Sequence, residues 1–248
     1  MHNFDFYNPT HILFGQGRIA DLGAHIPADA RVLVLFGGGS IRRNGVLDQV
    51  HAALAGRTFL EFEGIEPNPS YETLMQAVEL VRREKINFLL AVGGGSVIDG
   101  TKFVAAAALF EGDPWAILEK RGGNITQALP FGSVLTLPAT GSEMNNGSVV
   151  TRKSLQAKMA FSSNHCYPKF SVLDPATTLT LPVRQVGNGV VDAFAHVMEQ
   201  YLTYPADAPL QDRFAEGILQ TLIEEGPKAL AEPENYAVRA NIMWCATL

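Results

Sequence analysis

The chain has 248 residues, enough for one large domain or two modest ones, and its 47% apolar and 18% charged residues are typical of a folded globular protein. This composition excludes a disordered or collagen-like chain. The net charge is −6 and basic residues cluster no further than pairs such as Arg42-Arg43, so nucleic acid is not expected as a partner.

Targeting signals and disulfide patterns are not evident in the sequence. No apolar stretch approaches the ~18 residues of a membrane helix, and the first residues lack the layout of a signal peptide. Cys166 and Cys245 are too few for a disulfide framework, and we expect both to be buried thiols. We therefore expect a cytoplasmic protein that does not contact a membrane.

The first hundred residues alternate between two patterns. Short apolar runs predict strands buried on both faces of a parallel sheet, and amphipathic stretches with apolar residues three and four apart predict helices. The strands are expected at 31–36, 58–62 and 87–92, and the helices at 41–54, 71–84 and 97–109. This order indicates right-handed crossovers and a doubly wound open sheet.

The pattern changes near Pro182. Further strands of the sheet domain are predicted at 131–137, 148–151 and 170–173, and helices are predicted at 183–203, 209–224 and 234–248. The expected domains are therefore 1–182 and 183–248. The last helical pattern, with Pro233 in its first turn, ends on apolar residues without a stop signal. We expect the chain to be a fragment, or a natural truncation, of a longer architecture.

Two glycine-rich turns follow predicted strands: Gly37-Gly38-Gly39-Ser40 after the first strand and Gly93-Gly94-Gly95-Ser96 after the third. Ser96 is predicted to cap the following helix, with Asp99 as its capping partner. Bare glycine backbone and unpaired helix N–H groups would bind a pyrophosphate. Neither turn has the Rossmann or P-loop spacing, and each alone could be a tight turn without a ligand. Two such turns on neighbouring strand ends favour a nucleotide site.

The first turn is followed by Ser40, Arg42 and Arg43, with no carboxylate in the turn itself. Hydroxyl and guanidinium groups suit the 2′-phosphate of NADP, whereas a carboxylate would favour the free ribose 2′-hydroxyl of NAD. This pattern favours NADP, although both arginines could instead be solvated helix surface.

A polar loop follows the strand predicted at 131–137. Thr136, Thr140 and Asn145 belong to this segment, and their hydroxyl and amide groups could hold a ribose or a nicotinamide amide, or could form a hydrogen-bonded turn. Lys158 lies in a strand-like piece and could approach the same ligand, or could be an exposed edge residue.

Asp192 and His196 lie four residues apart in a predicted helix, which places both side chains on one helical face among apolar neighbours. A carboxylate and an imidazole so placed are suitable ligands for a divalent metal. The same spacing also suits a plain hydrogen bond or ion pair.

Taken in this order, the motifs resemble the iron-containing (group III) alcohol dehydrogenase family, and within it the NADP-dependent aldehyde reductase and butanol dehydrogenase branch. The resemblance runs from Phe4 to Leu248 and rests on residues 12–15, 64–69, 93–99, 136–143, 174–175 and 192–196. It implies a dehydroquinate synthase-like α/β fold. In that fold a Rossmann-like doubly wound sheet domain precedes an all-helical domain, which is truncated here, and we expect a homodimer.

The resemblance implies adenosine binding at the first glycine turn and pyrophosphate binding at the second. The implied cofactor-binding residues are Gly37, Gly38, Ser40, Arg43, Gly93, Gly94, Gly95, Ser96, Asp99, Thr136, Thr140, Asn145, Lys158 and Thr177. Asp192 and His196 are implied as two of four ligands of a divalent metal, iron or zinc. The family's other two ligands are histidines further along the chain, and this chain has no histidine after His196.

The implied activity is NADP(H)-dependent interconversion of aldehydes and alcohols. The metal would act as a Lewis acid for hydride transfer, and no side chain is assigned as a catalytic base. Two alternatives stay open. One is a polyol dehydrogenase or a dehydroquinate synthase-like lyase of the same fold, and the other is a catalytically inactive nucleotide-binding fragment.

Overall fold

A computed structural model describes residues 2–248 and shows a six-stranded sheet in which every neighbouring pair of strands is parallel. Its strands are β1 (His11–Phe14), β2 (Arg31–Phe36), β3 (Thr58–Glu63), β4 (Phe88–Gly94), β5 (Phe131–Leu137) and β8 (Phe170–Leu173). The strands β6 (Gly147–Arg152) and β7 (Ala157–Ser162) form a separate antiparallel hairpin. The segment 148–151, predicted as part of the main sheet, therefore lies outside it.

The sheet has the order β1-β8-β5-β4-β2-β3. After β2 the chain moves to the edge strand β3 and then crosses back to place β4 on the other side of β2. The direction of winding thus reverses between β2 and β4. In open α/β sheets ligands bind outside the carboxyl ends of the strands at such a switch point.

Helices cover both faces of the sheet. They are α1 (Leu22–His25), α2 (Ser40–Arg43), α3 (Val46–Ala53), α4 (Tyr71–Arg83), α5 (Gly95–Leu109) and α6 (Trp115–Glu119). Alternate strand residues point to opposite sides: Leu33 and Leu89 pack toward α4 and α5, whereas Val32 and Leu90 pack toward α1 and α3. Two apolar cores, one on each face, follow from the continuously apolar strands.

The helix predicted at 41–54 is wrong as a single element. The chain leaves the helix after Arg43 and resumes it at Val46, because Gly45 takes a φ of 76°, in the left-handed region. Glycine reaches that region without steric cost, and one residue there ends α2.

The last part of the described chain is helical, with α7 (Val183–Tyr201), α8 (Pro209–Ala231) and α9 (Tyr236–Thr247). Helix α8 continues through Pro227, beyond the predicted end at 224. Pro233 precedes α9 rather than lying in its first turn; the N-cap is Asn235, whose side chain accepts a hydrogen bond from the Val238 amide. The division into domains 1–182 and 183–248 stays a prediction.

Within residues 2–248, no helix is long and apolar enough to cross a membrane. Cys166 is a buried free thiol, as predicted, and burial raises its pKa to about 12. Cys245 is only partly buried, because it lies on the open side of α9.

Candidate functional site

The structure brings the two glycine turns together at the switch point. Strands β2 and β4 are direct neighbours, and Phe36 pairs with Val92, so both turns leave the sheet at the same edge. Gly37 and Ser40 lie in one turn and Gly93 to Ser96 in the other. The predicted proximity of the two turns is confirmed in geometry.

Packing explains the glycines of the second turn. A Cβ at Gly93 would lie 2.6 Å from a methyl group of Val97, one at Gly94 would lie 3.1 Å from Cβ of Leu137, and one at Gly95 would lie 2.5 Å from Oγ1 of Thr140. The backbone of Gly94 has an ordinary φ of −89°. These glycines are therefore needed for close contact between β4, β5 and α5, independently of any ligand.

The first turn is more open. A Cβ on Gly38 would meet nothing within 4 Å in the described part of the chain, whereas one on Gly37 would lie 3.0 Å from the carbonyl oxygen of Ile65. Ser40 is the exposed first residue of α2. Space for a ligand at this turn lies on the side of Gly38 and Ser40.

The predicted capping of α5 by Ser96 and Asp99 is wrong. Helix α5 begins two residues earlier than predicted, at Gly95, and its N-cap is Gly94, which has no side chain to cap with. The Ser96 hydroxyl instead accepts a long hydrogen bond (3.3 Å) from the Asn68 amide. The backbone N–H groups in the first helical turn of α5 therefore have no side-chain cap and can bind an anion.

Asp99 holds two other elements instead. One of its carboxylate oxygens accepts a hydrogen bond from the Ser142 hydroxyl (2.6 Å), and the other accepts one from the Val149 amide (2.9 Å). Asp99 therefore joins α5 to the loop after β5 and to strand β6. Burial raises the pKa of Asp99, opposed by the positive charge of Lys102 and these two hydrogen bonds.

The neighbourhood of Arg43 differs from the sequence-based picture. Arg43 is exposed and forms no hydrogen bond or ion pair with another residue in the range 2–248. Arg42, by contrast, is engaged by two carboxylates, with Nη2 lying 2.6 Å from Glu61 and 3.2 Å from Glu63. The turn therefore has acidic neighbours that local sequence does not reveal, because both come from β3.

A cleft of about 480 Å³ lies beside the polar loop. Asp99, Thr140 and Asn145 line it, together with Ser148 and Val149 of the hairpin. Thr140 and Asn145 are both exposed to this space. Three of the sequence-predicted residues are thus brought to one concave surface next to the second glycine turn.

Other predicted cofactor residues lie apart from this cleft. Thr136 is nearly buried, and the Thr177 hydroxyl donates to the carbonyl oxygens of Leu135 (2.9 Å) and Asp174 (2.8 Å), so its proton is used within the protein. Lys158 is exposed on β7, and its ammonium lies 2.8 Å from Oδ1 of Asn68.

Asn68 links two parts of the candidate site that are distant in sequence. Its side-chain oxygen accepts a hydrogen bond from the Lys158 ammonium, and its backbone N–H donates one to the Ser96 hydroxyl. Its φ of 56° lies in the left-handed region. An asparagine tolerates that conformation better than most residues. The residue lies in a motif that supported the resemblance, but the local sequence did not indicate this bridging role.

Lys102 is the main residue that sequence reasoning missed. Its side chain is fully buried, and its ammonium donates to Ser142 Oγ (2.9 Å), Asn145 Oδ1 (2.8 Å) and the Gly147 carbonyl oxygen (2.7 Å). All three hydrogen bonds go to the segment 142–147, which runs from the polar loop to the first residue of β6. A lysine in the middle of an apolar helix was the available signal, since buried lysines almost always have partners.

The electrostatics around Lys102 follow from burial. Desolvation lowers the pKa of Lys102 to about 8, although the nearby carboxylates of Asp99 and Glu143 act in the opposite direction. Glu143 is also buried; desolvation raises its pKa, and the Thr247 hydroxyl donates to it over 2.7 Å. The loop is thus connected to α5 on one side and to α9 on the other.

Asp192 and His196 lie on one face of α7, as predicted. Nε2 of His196 is 3.6 Å from Oδ2 of Asp192, and both side chains are about half exposed rather than surrounded by apolar residues. Helix α7 approaches the loop closely at Gly189, where a Cβ would lie 2.6 Å from the Pro138 carbonyl oxygen. This contact fixes the start of the helix against the carboxyl end of β5.

A second cleft, of about 290 Å³, connects the helical part to the polar loop. Thr140, Asn145 and His196 all line it, with Cys245 and Thr247 from α9. The candidate metal ligand and two candidate cofactor residues therefore share one cavity. Among residues 2–248, however, no group of three or more His, Cys, Asp or Glu side chains could hold a metal ion.

A doubly wound parallel sheet with glycine turns at its switch point is an architecture typical of nucleotide-binding α/β proteins. The chain belongs to the iron-containing alcohol dehydrogenase family. The model of the family "Iron-containing alcohol dehydrogenase" matches residues 9–175, and that of the "Fe-containing alcohol dehydrogenase family, C-terminal" matches residues 187–248. The α/β fold expected from the sequence is confirmed.

Curated relatives match over the whole chain. The chain is 65% identical to the NADPH-dependent aldehyde reductase YqhD of Escherichia coli and 40% identical to the NADH-dependent butanol dehydrogenase A of Clostridium acetobutylicum. Each alignment covers 100% of this chain and 64% of the relative. The chain thus spans slightly less than two thirds of the length of these relatives.

Solved structures agree in fold. The crystal structure of E. coli YqhD has a TM-score of 0.97 at 64% identity, over 99% of this chain and 63% of that chain. The NADH-dependent butanol dehydrogenase A of Thermotoga maritima has a TM-score of 0.94 at 43% identity, over 100% and 63% respectively.

Proposed function

We propose that this chain binds NADP(H) and supplies the nucleotide site, with part of the metal site, of an aldehyde reductase or alcohol dehydrogenase. The observation that carries the proposal is the meeting of two glycine turns at the β2/β4 switch point, beside the uncapped start of α5. Family membership supports the same reading.

The residues of the two turns and of the polar loop would contact different parts of the dinucleotide. Gly37, Gly38, Ser40 and Arg43 would hold the adenosine end, and Gly93 to Ser96 the pyrophosphate, with Asp99 positioning the loop behind it. Thr140, Asn145 and Lys158 would line the nicotinamide end, with Thr136 and Thr177 supporting the strand ends around them. When bound, the dinucleotide supplies or accepts the hydride.

NADP is proposed over NAD because Arg43 is a free cation beside the first turn and Ser40 offers a hydroxyl there. Some relatives are named for NADPH or NADP and others for NADH, so the preference of this chain needs its own test. The proposed substrates are small aldehydes and alcohols, as the relatives' names indicate.

Asp192 and His196 are proposed as two ligands of a divalent metal, iron or zinc. Their donor atoms suit such an ion, but residues 2–248 do not complete a set of three. No step of the reaction is therefore assigned to a metal. This shortfall favours, as a second candidate, nucleotide binding without turnover by the 248-residue chain. The two-domain division, cytoplasmic location and homodimer also stay predictions.

A matched pair of glycine substitutions tests the nucleotide site. Gly38 and Gly217 both have an ordinary φ and open space around an added Cβ, but only Gly38 lies at the switch point. Gly38→Leu should abolish the fluorescence change of NADPH on titration while leaving the melting temperature almost unchanged, and Gly217→Leu should bind like the wild type. Undiminished binding by Gly38→Leu would place the nucleotide elsewhere.

A further inference from the structure

The first glycine turn has a charged rim built by the edge strand β3. Glu61 and Glu63 lie two residues apart on that strand, and their side chains point to the same side, toward α2. A Cβ on Gly39 would lie 2.9 Å from Oε1 of Glu63. The Glu63 carboxylate therefore lies directly against the turn that is proposed to hold the adenosine ribose.

Arg42 is held by this rim rather than free for a ligand. Its Nε and Nη2 lie 3.3 and 3.2 Å from Glu63 Oε2, and Nη2 lies 2.6 Å from Glu61. The guanidinium also stacks 5.0 Å from the ring centroid of Phe36. Glu61 in turn contacts His51 Nε2 at 2.7 Å. Two carboxylates thus face one arginine, and Glu63 stays about half exposed to solvent.

We propose that Glu63 is a specificity-determining residue of the nucleotide site, which opposes a 2′-phosphate and accepts a hydrogen bond from a free ribose 2′-hydroxyl. This inference rests on the proposed binding of adenosine at the first turn. In this arrangement Arg43 and Ser40 attract the 2′-phosphate, while Glu63 limits that attraction and holds Arg42 away from it. The balance between NADP and NAD is then set by β3 as well as by the turn.

The sign of the effect follows from the charges. Replacing Glu63 with glutamine removes a negative charge beside the 2′ position and also weakens the hold on Arg42, so both changes favour a 2′-phosphate. For half-exposed groups the gain should be up to roughly five-fold in relative affinity, and it should shrink at high salt because exposed charges are screened. Glu61→Gln leaves the carboxylate at Gly39 in place and should change the ratio less.

Two probes that differ only by the 2′-phosphate isolate this effect from the nicotinamide end and from any metal. Adenosine 5′-monophosphate and adenosine 2′,5′-bisphosphate are titrated by calorimetry into the 248-residue wild type and five variants. The variants are Glu63→Gln, Glu63→Lys, Glu61→Gln, Arg43→Ala and the remote control Glu84→Gln. The affinity for the bisphosphate relative to that for the monophosphate is expected to rise in Glu63→Gln, to rise further in Glu63→Lys, and to stay unchanged in Glu84→Gln. Melting curves confirm that each variant is folded.

The outcomes separate this inference from the proposed function. If the wild type binds the probes, Arg43→Ala weakens the bisphosphate, and both Glu63 variants leave the ratio unchanged, the role of Glu63 is overturned and the nucleotide site stands. If the wild type binds neither probe, the nucleotide site at this turn is wrong and the role of Glu63 falls with it. A lower affinity for the bisphosphate relative to the monophosphate in Glu63→Gln would also overturn the inference.

Discussion

The ammonium of Lys102 donates a hydrogen bond to Oδ1 of Asn145 over 2.8 Å, so a charge buried in α5 holds the loop that lines both clefts. The same ammonium reaches Ser142, which in turn donates to Asp99. The loop is therefore positioned from beneath by helix α5, which also begins at the second glycine turn. A substitution of Lys102 is therefore expected to disturb both the polar loop and the second glycine turn.

Lys102→Met should lower the free energy of unfolding by about 3 kcal/mol or more, because it leaves the buried Asp99 and the loop acceptors without their partner. Urea denaturation followed by circular dichroism measures the change. Lys169→Met, which replaces an exposed lysine, serves as the control and should stay within about 0.5 kcal/mol of the wild type. Equal stabilities for the two variants would contradict the role of the buried charge.

The Glu66 carboxylate is expected to make a pH-dependent contribution to the stability of the fold. Burial alone would raise the pKa of Glu66, but hydrogen bonds from Ser70, its own backbone, Lys153 and Thr73 lower it to about 2. A carboxyl whose folded-state pKa lies below its unfolded value of about 4.5 stabilises the fold above pH 4.5 and loses that contribution as the pH falls toward 2.

Glu66→Gln should therefore cost roughly 1–3 kcal/mol of unfolding free energy at pH 7, and the cost should shrink as the pH falls from 5 toward 3. The measurement is the difference between wild type and variant in urea midpoints across that range. Glu79→Gln, on the exposed face of α4, should show no such trend. A cost that is constant with pH would mean that Glu66 is not ionised in this network.

Gly95→Ala should destabilise the protein by roughly 1–3 kcal/mol, since its Cβ would lie 2.5 Å from the Thr140 hydroxyl oxygen. The double variant Gly95→Ala/Thr140→Ala should recover part of this loss, because it removes the two nearest side-chain atoms. Thermal melting of both variants and of Thr140→Ala alone gives the coupling. Simple additivity would show that the backbone, not Thr140, requires the glycine.

Arg43→Ala should weaken NADPH binding roughly ten- to a hundred-fold and leave NADH binding nearly unchanged, because a charge-assisted contact to the 2′-phosphate is worth ~1.5–3 kcal/mol. Fluorescence titration of both reduced dinucleotides gives the two affinities. Arg213→Ala on α8 is a control with an exposed arginine far from the turns. Equal NADPH and NADH affinities in the wild type would contradict the proposed preference for NADP over NAD.

Five of the six strands of the sheet could be predicted, and the central ones show as continuous apolar runs, such as 31–36 and 131–137, because they are buried on both faces. The short edge strand β1, which has a single fully buried residue, was not predicted. The meeting of the glycine turns followed from the same logic, since parallel strands end at one edge. The hairpin at 147–162 was harder, because neither strand is a continuously buried apolar run and the two pair with each other rather than with the main sheet.

The parts of the site that were missed depend on long-range contacts. Lys102 meets Asn145 and Gly147 more than forty positions away, and Arg42 meets Glu61 and Glu63 about twenty positions away. The turn at Gly37–Ser40 therefore lacks a carboxylate in sequence but has one in space. Local spacing predicts which side chains share a helical face, as for Asp192 and His196, but not which elements a fold brings against them.

The small number of metal donors around α7 predicts weak metal binding by the 248-residue chain. Asp192 and His196 are half exposed and 3.6 Å apart, and residues 2–248 offer no third His, Cys, Asp or Glu to complete a group with them. Two donors bind iron or zinc far more weakly than a three- or four-ligand site, so metal analysis of the 248-residue chain should find well under one equivalent. In a longer chain that supplies further ligands, His196→Ala should remove both bound metal and turnover, while NADPH affinity stays nearly unchanged because the dinucleotide is held by other residues. Glu199→Gln, on the same helix, should retain the metal. Stoichiometric metal and alcohol oxidation in the 248-residue chain itself would show that the ligands lie elsewhere.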